Sequence, residues 1–291
     1  MTGRGINRQT LAQKARAYAR SPLSLALLLL VLLAAAATFF ALLFLIGYIL
    51  IKGIPNLTPS LFALEYNSEN VSMLPAILTT LMMTGLSLLI AVPLGVFSAV
   101  YLVEYARRGS KLVKAVRMTA ETLAGIPSIV FGLFGMLFFV TYLKWNYSLL
   151  AGAMTLAIMV LPAIMRTTEE AMLAVPDLYR EASFGLGAGR LRTVFRIVLP
   201  SAMPGIAAGV ILAVGRIVGE TAALIYTAGT VAKVPENLFA SGRTLAVHMY
   251  SLSREGLHTG EAYATAVVLL VVVLLIDGLS ALIARRWTRE N

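Results

Sequence analysis

The segment Val175-Pro176-Asp177-Leu178-Tyr179-Arg180-Glu181-Ala182-Ser183-Phe184-Gly185-Leu186-Gly187, followed by Ile197-Val198-Leu199-Pro200, is a polar interval in a chain that is otherwise largely apolar. Pro176 fixes φ and Asp177 places a negative charge where a helix begins, since the first turn has spare donors and a positive dipole end. Glycines at 185, 187 and 189 stop that helix, and Arg190 to Leu199 can form a second one before Pro200. The expected product is a short helix-turn-helix with a rigid tip. The wider interval 166–203 carries five basic residues, Arg166, Arg180, Arg190, Arg192 and Arg196, which makes it too polar to cross a bilayer.

Apolar runs flank this interval on both sides. Leu149 to Met165 precedes it, Ile206 to Ala228 follows it, and Leu23 to Ile51, Met73 to Tyr101, Ile126 to Leu143 and Ala262 to Ala284 complete a set of six. Hydrophobic residues make up 59% of the chain and charged residues 13%, far from the roughly 45–50% and 25% of soluble domains. The expected class is an all-α integral membrane protein of six transmembrane helices. It divides into a basic arm (1–22), a first helix (23–51), a core of five helices (73–284) containing the 166–203 loop, and a tail (285–291). The 29 uncharged residues of Leu23 to Ile51 exceed the apolar stretch of about 7–15 in a cleaved signal, so an uncleaved first span is expected.

Charge sets the orientation. Of 24 Lys and Arg, 18 fall in the arm, the 102–121 loop, the 166–203 loop and the tail, and five in the three opposite loops. The positive-inside rule makes both termini cytoplasmic. The net charge of +10 is spread over short segments beside apolar runs, a distribution of membrane orientation and not of nucleic-acid binding. Lys111 to Glu121 alternates basic and apolar residues at helical spacing, as an amphipathic surface helix does. Pro93 inside the second run predicts a kink, and Gly132 and Gly135 in the third permit close helix approach.

Within the run Ile206 to Ala228, Arg216 and Glu220 place opposite charges four residues apart, which on a continuous helix stacks them on one face. Each charge at bilayer depth costs about 2.5–3.5 kcal/mol on insertion scales, so the pair marks an ion-handling site or an intramembrane salt bridge that fixes helix packing. Thr221 adds a hydroxyl beside it, or bonds back to a carbonyl one turn earlier. Asp277, in the last run, reads as a structural hydrogen-bonding residue. His248 and His258 lie ten residues apart without acidic companions at ligand spacing, so no metal site is expected. The chain has no cysteine and therefore no disulfide or thiolate chemistry.

The spacing Glu181-Ala182-Ser183, three residues, Gly187, nine residues, Ile197, one residue, Leu199-Pro200 resembles the EAA loop of ABC-importer permeases, with Ser183 in place of the second alanine. Further stretches resemble the phosphate-importer permeases of the PstA type: Ala91-Val92-Pro93-Leu94-Gly95, Tyr101-Leu102-Val103-Glu104-Tyr105, Leu123 to Gly135, Arg166-Thr167-Thr168-Glu169-Glu170, and Gly219-Glu220-Thr221-Ala222. Where that family has proline after Glu-Thr-Ala, this chain has Ala223, a change expected to straighten the helix beyond Glu220. The resemblance covers about residues 70–285. It implies a bacterial inner-membrane permease without catalytic residues of its own, whose Asp177, Tyr179, Arg180, Glu181, Ala182 and Gly187 dock on an ATPase. It also implies a homologous permease chain, two copies of that cytoplasmic ATPase, an external phosphate-binding protein and membrane lipid as partners. Arg216, Glu220, Arg166 and Thr221 become the expected substrate contacts. Arg166 has the alternative role of a positive-inside anchor.

Chemistry agrees with that anion. Arginine offers a planar fork to two phosphate oxygens, and an ionised carboxylate accepts a bond from P–OH while repelling sulfate, which has no proton to give. The 291 residues contain no Gly-x-x-x-x-Gly-Lys-Ser/Thr, so no cofactor is expected in this chain and ATP would be used by the partner. Four other readings stand beside this one: the partner permease subunit, a permease for another oxyanion, a membrane enzyme acting on lipid phosphates, and a phosphate-sensing scaffold. The enzyme would need catalytic Asp or His at the membrane surface, where the cytoplasmic segments offer only Asp177.

Overall fold

A computed structural model describes residues 22–107 and 109–289, with side chains described to Leu282. The basic arm before Pro22 and the side chains of the tail lie outside the described residues. The chain forms two units, Met1–Lys52 and Gly53–Asn291. In the first, α1 (Pro22–Gly53) opens the described chain as one helix, as its uncharged run predicts.

The second unit is helical throughout its regular structure. Its helices are α2 (Leu74–Val100), α3 (Lys111–Ala124), α4 (Ser128–Gly135), α5 (Leu149–Leu173), α6 (Asp177–Gly185), α7 (Arg190–Thr193), α8 (Leu199–Val218), α9 (Ala222–Thr227), α10 (Leu245–Glu255) and α11 (Thr259–Arg289). Wider π turns extend α2 through Tyr101–Tyr105 and α4 through Met136–Tyr142, and join α7 to α8 through Val194–Val198. Among the described residues five helical stretches are long and apolar enough to cross a membrane. A sixth crossing exists if α3 and α4, bent by 102° at residues 125–127, are counted as one.

The helix α5 is the axis of the unit, because its small and branched residues meet neighbours on most sides. Leu156, Met159, Val160 and Ile164 are buried against Met83 and Ala91 of α2, Phe131 of α4, Ala213 and Ile217 of α8 and Leu224 of α9. Ser148 caps its start, accepting from the Ala151 N–H at 3.2 Å, which satisfies one of the free donors of a first turn. A second cluster joins Leu61, Met73, Leu245, Leu252 and Ala262. A third, of Val100, Met172, Val175, Val194, Val198 and Ile206, seats the polar interval on the bundle.

The glycine-rich opening of α4 has the packing its sequence predicts. A Cβ on Gly132 would lie 2.7 Å from the Cα of Ala223, and one on Gly135 would lie 2.2 Å from the Thr155 hydroxyl. The bare backbone of α4 is what lets α5 and α9 approach.

Three expectations fail. The residues Ile206–Ala228 are not one helix: α8 ends at Val218 and α9 begins at Ala222, with Gly219 to Thr221 between them. Pro200 does not end a helix, since helical structure runs unbroken from Arg190 to Val218. Leu199 donates its N–H to the Val194 carbonyl, and this wider bond carries the ladder past the proline, which has no N–H. Nor is 233–261 all loop, because it contains α10, which stops at Gly256 with φ 72°, the left-handed position that glycine adopts without strain.

Candidate functional site: a charged cavity and a polar helical loop

Arg216 lies in the last turn of α8 and Glu220 just beyond it. The break between them comes from two local bonds. Gly219 closes α8 by donating to the Gly215 carbonyl at 3.2 Å, and Glu220 Oε1 accepts from the Ala223 N–H at 3.1 Å. The carboxylate thus satisfies a free N–H in the first turn of the new helix, and is itself buried. Ala223 does not straighten this region, contrary to the sequence expectation. It supplies the N–H that Glu220 binds, a donor that proline would lack. The Thr221 hydroxyl leans toward the Gly219 carbonyl at 3.5 Å.

Arg216 and Glu220 therefore do not stack on one helical face, and no ion pair joins them. Arg216 instead lines a cavity of about 630 Å³ with Val160 and Ala163 of α5, Ala208, Ile211, Leu212, Ala213 and Gly215 of α8, and Asp277 of α11. Arg216 and Asp277 are the ionisable members of an otherwise apolar wall. Asp277 was expected to be a structural hydrogen-bonding residue. Its Oδ1 is buried and receives no hydrogen bond among the described residues.

Arg166 does not line that cavity. It belongs to an ionic group at the far end of α5, bonding Glu170 through Nε at 3.0 Å and approaching Glu121 at 3.9 Å. Arg117 of α3 pairs with Glu169 in the same group. These charges tie α3 to α5 and line a pocket of about 290 Å³.

The polar interval forms the expected helix and tip. Asp177 starts α6, and Gly187 adopts φ 82° where the chain reverses. Leu178, Tyr179, Phe184 and Leu186 are exposed on it, Leu186 at 89%. Arg180 differs from them, with only 13% of its side chain exposed. Its Nε and Nη2 bond Glu104 Oε1 at 3.0 and 2.9 Å, Nη2 also bonds the Met172 carbonyl at 3.0 Å, and Nη1 bonds the Val175 carbonyl at 2.8 Å and Asp177 Oδ1 at 3.2 Å. One guanidinium thus holds α6 to the end of α2 and to the end of α5. The sequence reading did not give Glu104 a role in the site, and a partner 76 residues away leaves no local pattern to find. Ser183, the departure from the EAA spacing, bonds Thr193 hydroxyl to hydroxyl at 2.8 Å in a buried position, so the two arms of the loop are stapled together.

On the opposite side of the bundle, His248 is wholly buried. It stands edge-on to the Tyr66 ring, which Arg243 covers from 4.5 Å. Burial and then the Arg243 charge lower its pKa from 6.5 to about 3. His258 lies 3.8 Å from Glu261.

Comparison with known proteins gives this geometry a context. Residues 91–289 match the family model described as binding-protein-dependent transport system inner membrane component. The chain is 38% identical over 218 residues to a probable ABC transporter permease protein, YqgI, of Bacillus subtilis, covering 69% of this chain and 72% of that one. It is 36% identical over 219 residues to the phosphate transport system permease protein PstA 1 of Mycobacterium tuberculosis, covering 74% and 71%. Among solved structures, a bacterial alginate ABC transporter in complex with an alginate pentasaccharide-bound periplasmic protein has a chain with TM-score 0.68 at 19% identity, over 96% of this chain and 99% of that one. That likeness concerns the fold.

Proposed function

The chain belongs to the binding-protein-dependent transport system inner membrane components, and on that premise we propose that it is a permease subunit of an ATP-driven importer of inorganic phosphate. The observation that carries the anion is Arg216, a cation in an apolar membrane cavity with no ion pair among the described residues. The similarity to proteins named as phosphate transport permeases supports the choice of phosphate. A guanidinium held there binds two oxygens of a tetrahedral oxyanion and replaces part of its lost hydration.

In this reading a homologous permease supplies the other half of the pathway, and a cytoplasmic ATPase pair docks on Asp177–Gly187. An external binding protein delivers phosphate to the face that carries α10. Both termini are cytoplasmic, as the basic residues require. Tyr179, Glu181, Ala182 and Leu186 meet the ATPase, and Arg180 keeps their helix in place. Glu220 and Thr221 shape the end of α8 so that Arg216 faces the pathway, with Glu220 acting through its bond to the Ala223 N–H. Arg166 stands at the cytoplasmic exit, where Glu121 and Glu170 share its charge. This subunit conducts and the partner hydrolyses ATP.

The deciding experiment is reconstitution of the complex in vesicles with phosphate inside the binding protein. Uptake dependent on ATP is expected, and Arg216→Gln should lower it by on the order of a hundredfold while the complex still assembles. Undiminished uptake by that variant would remove Arg216 from the pathway.

A further inference from the structure

Asp277 has no task in the fold that the structure can identify. It sits in α11 among apolar neighbours, and its Oδ1 is buried without a donor among the described residues. A carboxylate in such surroundings is costly unless something donates to it. Its Oδ2 approaches α8 at Gly215, where an added Cβ would be 4.0 Å away, so it lies beside the backbone that carries Arg216. The two side chains line one cavity and yet form no ion pair. Such an arrangement puts a guanidinium fork of donors and a carboxylate on the wall of one cavity without pairing them.

We propose that Asp277 is a specificity-determining residue of the permease, accepting a hydrogen bond from the hydroxyl of a protonated oxyanion whose other oxygens are held by Arg216. The proposal rests on the reading of Arg216 as the pathway cation. The ligand class is a tetrahedral anion that retains at least one proton on oxygen. Phosphate fits, whereas sulfate brings only acceptors to an acceptor and is repelled. Glu220 is the less suitable reader of that proton, since one of its oxygens is occupied by the Ala223 N–H and it does not line the cavity. Apolar walls strengthen the discrimination, because a charged or polar contact counts for more where the local dielectric is low.

The natural chain lacks cysteine, so Ala208→Cys introduces a single reporter thiol in the cavity wall. Its alkylation is followed in the assembled transporter with phosphate, sulfate or methylphosphonate present. Phosphate should slow labelling at concentrations on the order of a hundredfold lower than sulfate. Asp277→Asn, whose amide both donates and accepts, should bring the two anions within roughly threefold of each other, and Asp277→Glu should restore most of the difference. Methylphosphonate tests the unsubstituted Asp277 directly: it should protect in mildly acid solution, where it keeps a proton, and lose protection in alkaline solution, where it has none. Protection by phosphate with discrimination unchanged in Asp277→Asn, or methylphosphonate protection indifferent to its proton, would overturn the role of Asp277 and leave the transport reading intact. No protection by phosphate would overturn both.

Discussion

Arg180 carries more of the polar loop's structure than any other single side chain described, because five hydrogen bonds to two carboxylates and two carbonyls converge on it. Removing one partner of a buried ion pair costs about 3–5 kcal/mol, since the other charge is left without compensation. Arg180→Ala is therefore expected to lower the thermal midpoint of the purified protein and to loosen α6, read as faster proteolysis near Gly187. Tyr179→Ala, at an exposed position, should leave that midpoint unchanged and weaken recovery of the ATPase. His248 gives a second prediction at this scale. Its pKa is lowered to about 3 in the fold, so between pH 6.5 and that value the unfolded chain takes up a proton that the folded chain refuses. Stability should fall with falling pH through this window, by at most about 1.4 kcal/mol per pH unit from this group. Thermal midpoints of His248→Gln should decline less steeply with acid than those of the parent protein, and equal slopes would remove His248 as the cause.

At the scale of elements, glycine decides which helices touch. Gly132→Ala forces a Cβ onto the backbone of Ala223, which no rotamer change can relieve, and should cost about 1–3 kcal/mol as overpacking. Gly85, in α2, has nothing within 4 Å of an added Cβ, so Gly85→Ala should be neutral or gain up to about 1 kcal/mol from helix propensity. Comparing the two by thermal unfolding separates packing from propensity. The elements also show what could be read beforehand. Long uncharged runs located α1, α2, α5 and α11, and Pro176, Asp177 and the glycines located α6 and its tip. The break at Gly219 was hidden, because charges four residues apart fit a continuous helix as well as an interrupted one. The competing signal was local: a glycine stop followed by a carboxylate three residues ahead of a free N–H. Likewise Thr244 and Gly256 bracket α10, yet polar residues around them made the interval look irregular. Contacts such as Arg180 with Glu104 have no sequence signature at all, since they exist only after α2 and α6 are packed.

For the whole molecule, orientation follows from charge and can be checked on the same cysteine-free background. Ser253→Cys, beyond the middle of α10, should label from outside intact cells with a membrane-impermeant reagent. Leu186→Cys, at the exposed loop tip, should label only after permeabilisation. Reversal of that pattern would invert the proposed topology. The clusters around α5 and around Val194 and Ile206 both draw residues from α8, so one helix connects the cavity wall to the polar loop.

The unbroken helical run from Arg190 to Val218 has a consequence in lever geometry. From Arg190 to Arg216 it measures about 40 Å at 1.5 Å per residue. A tilt of about 10° pivoted at the loop would carry the guanidinium through about 7 Å, more than the length of a hydrogen bond. A rod of that length needs only a small angular displacement at its loop end to make or break a hydrogen bond at Arg216.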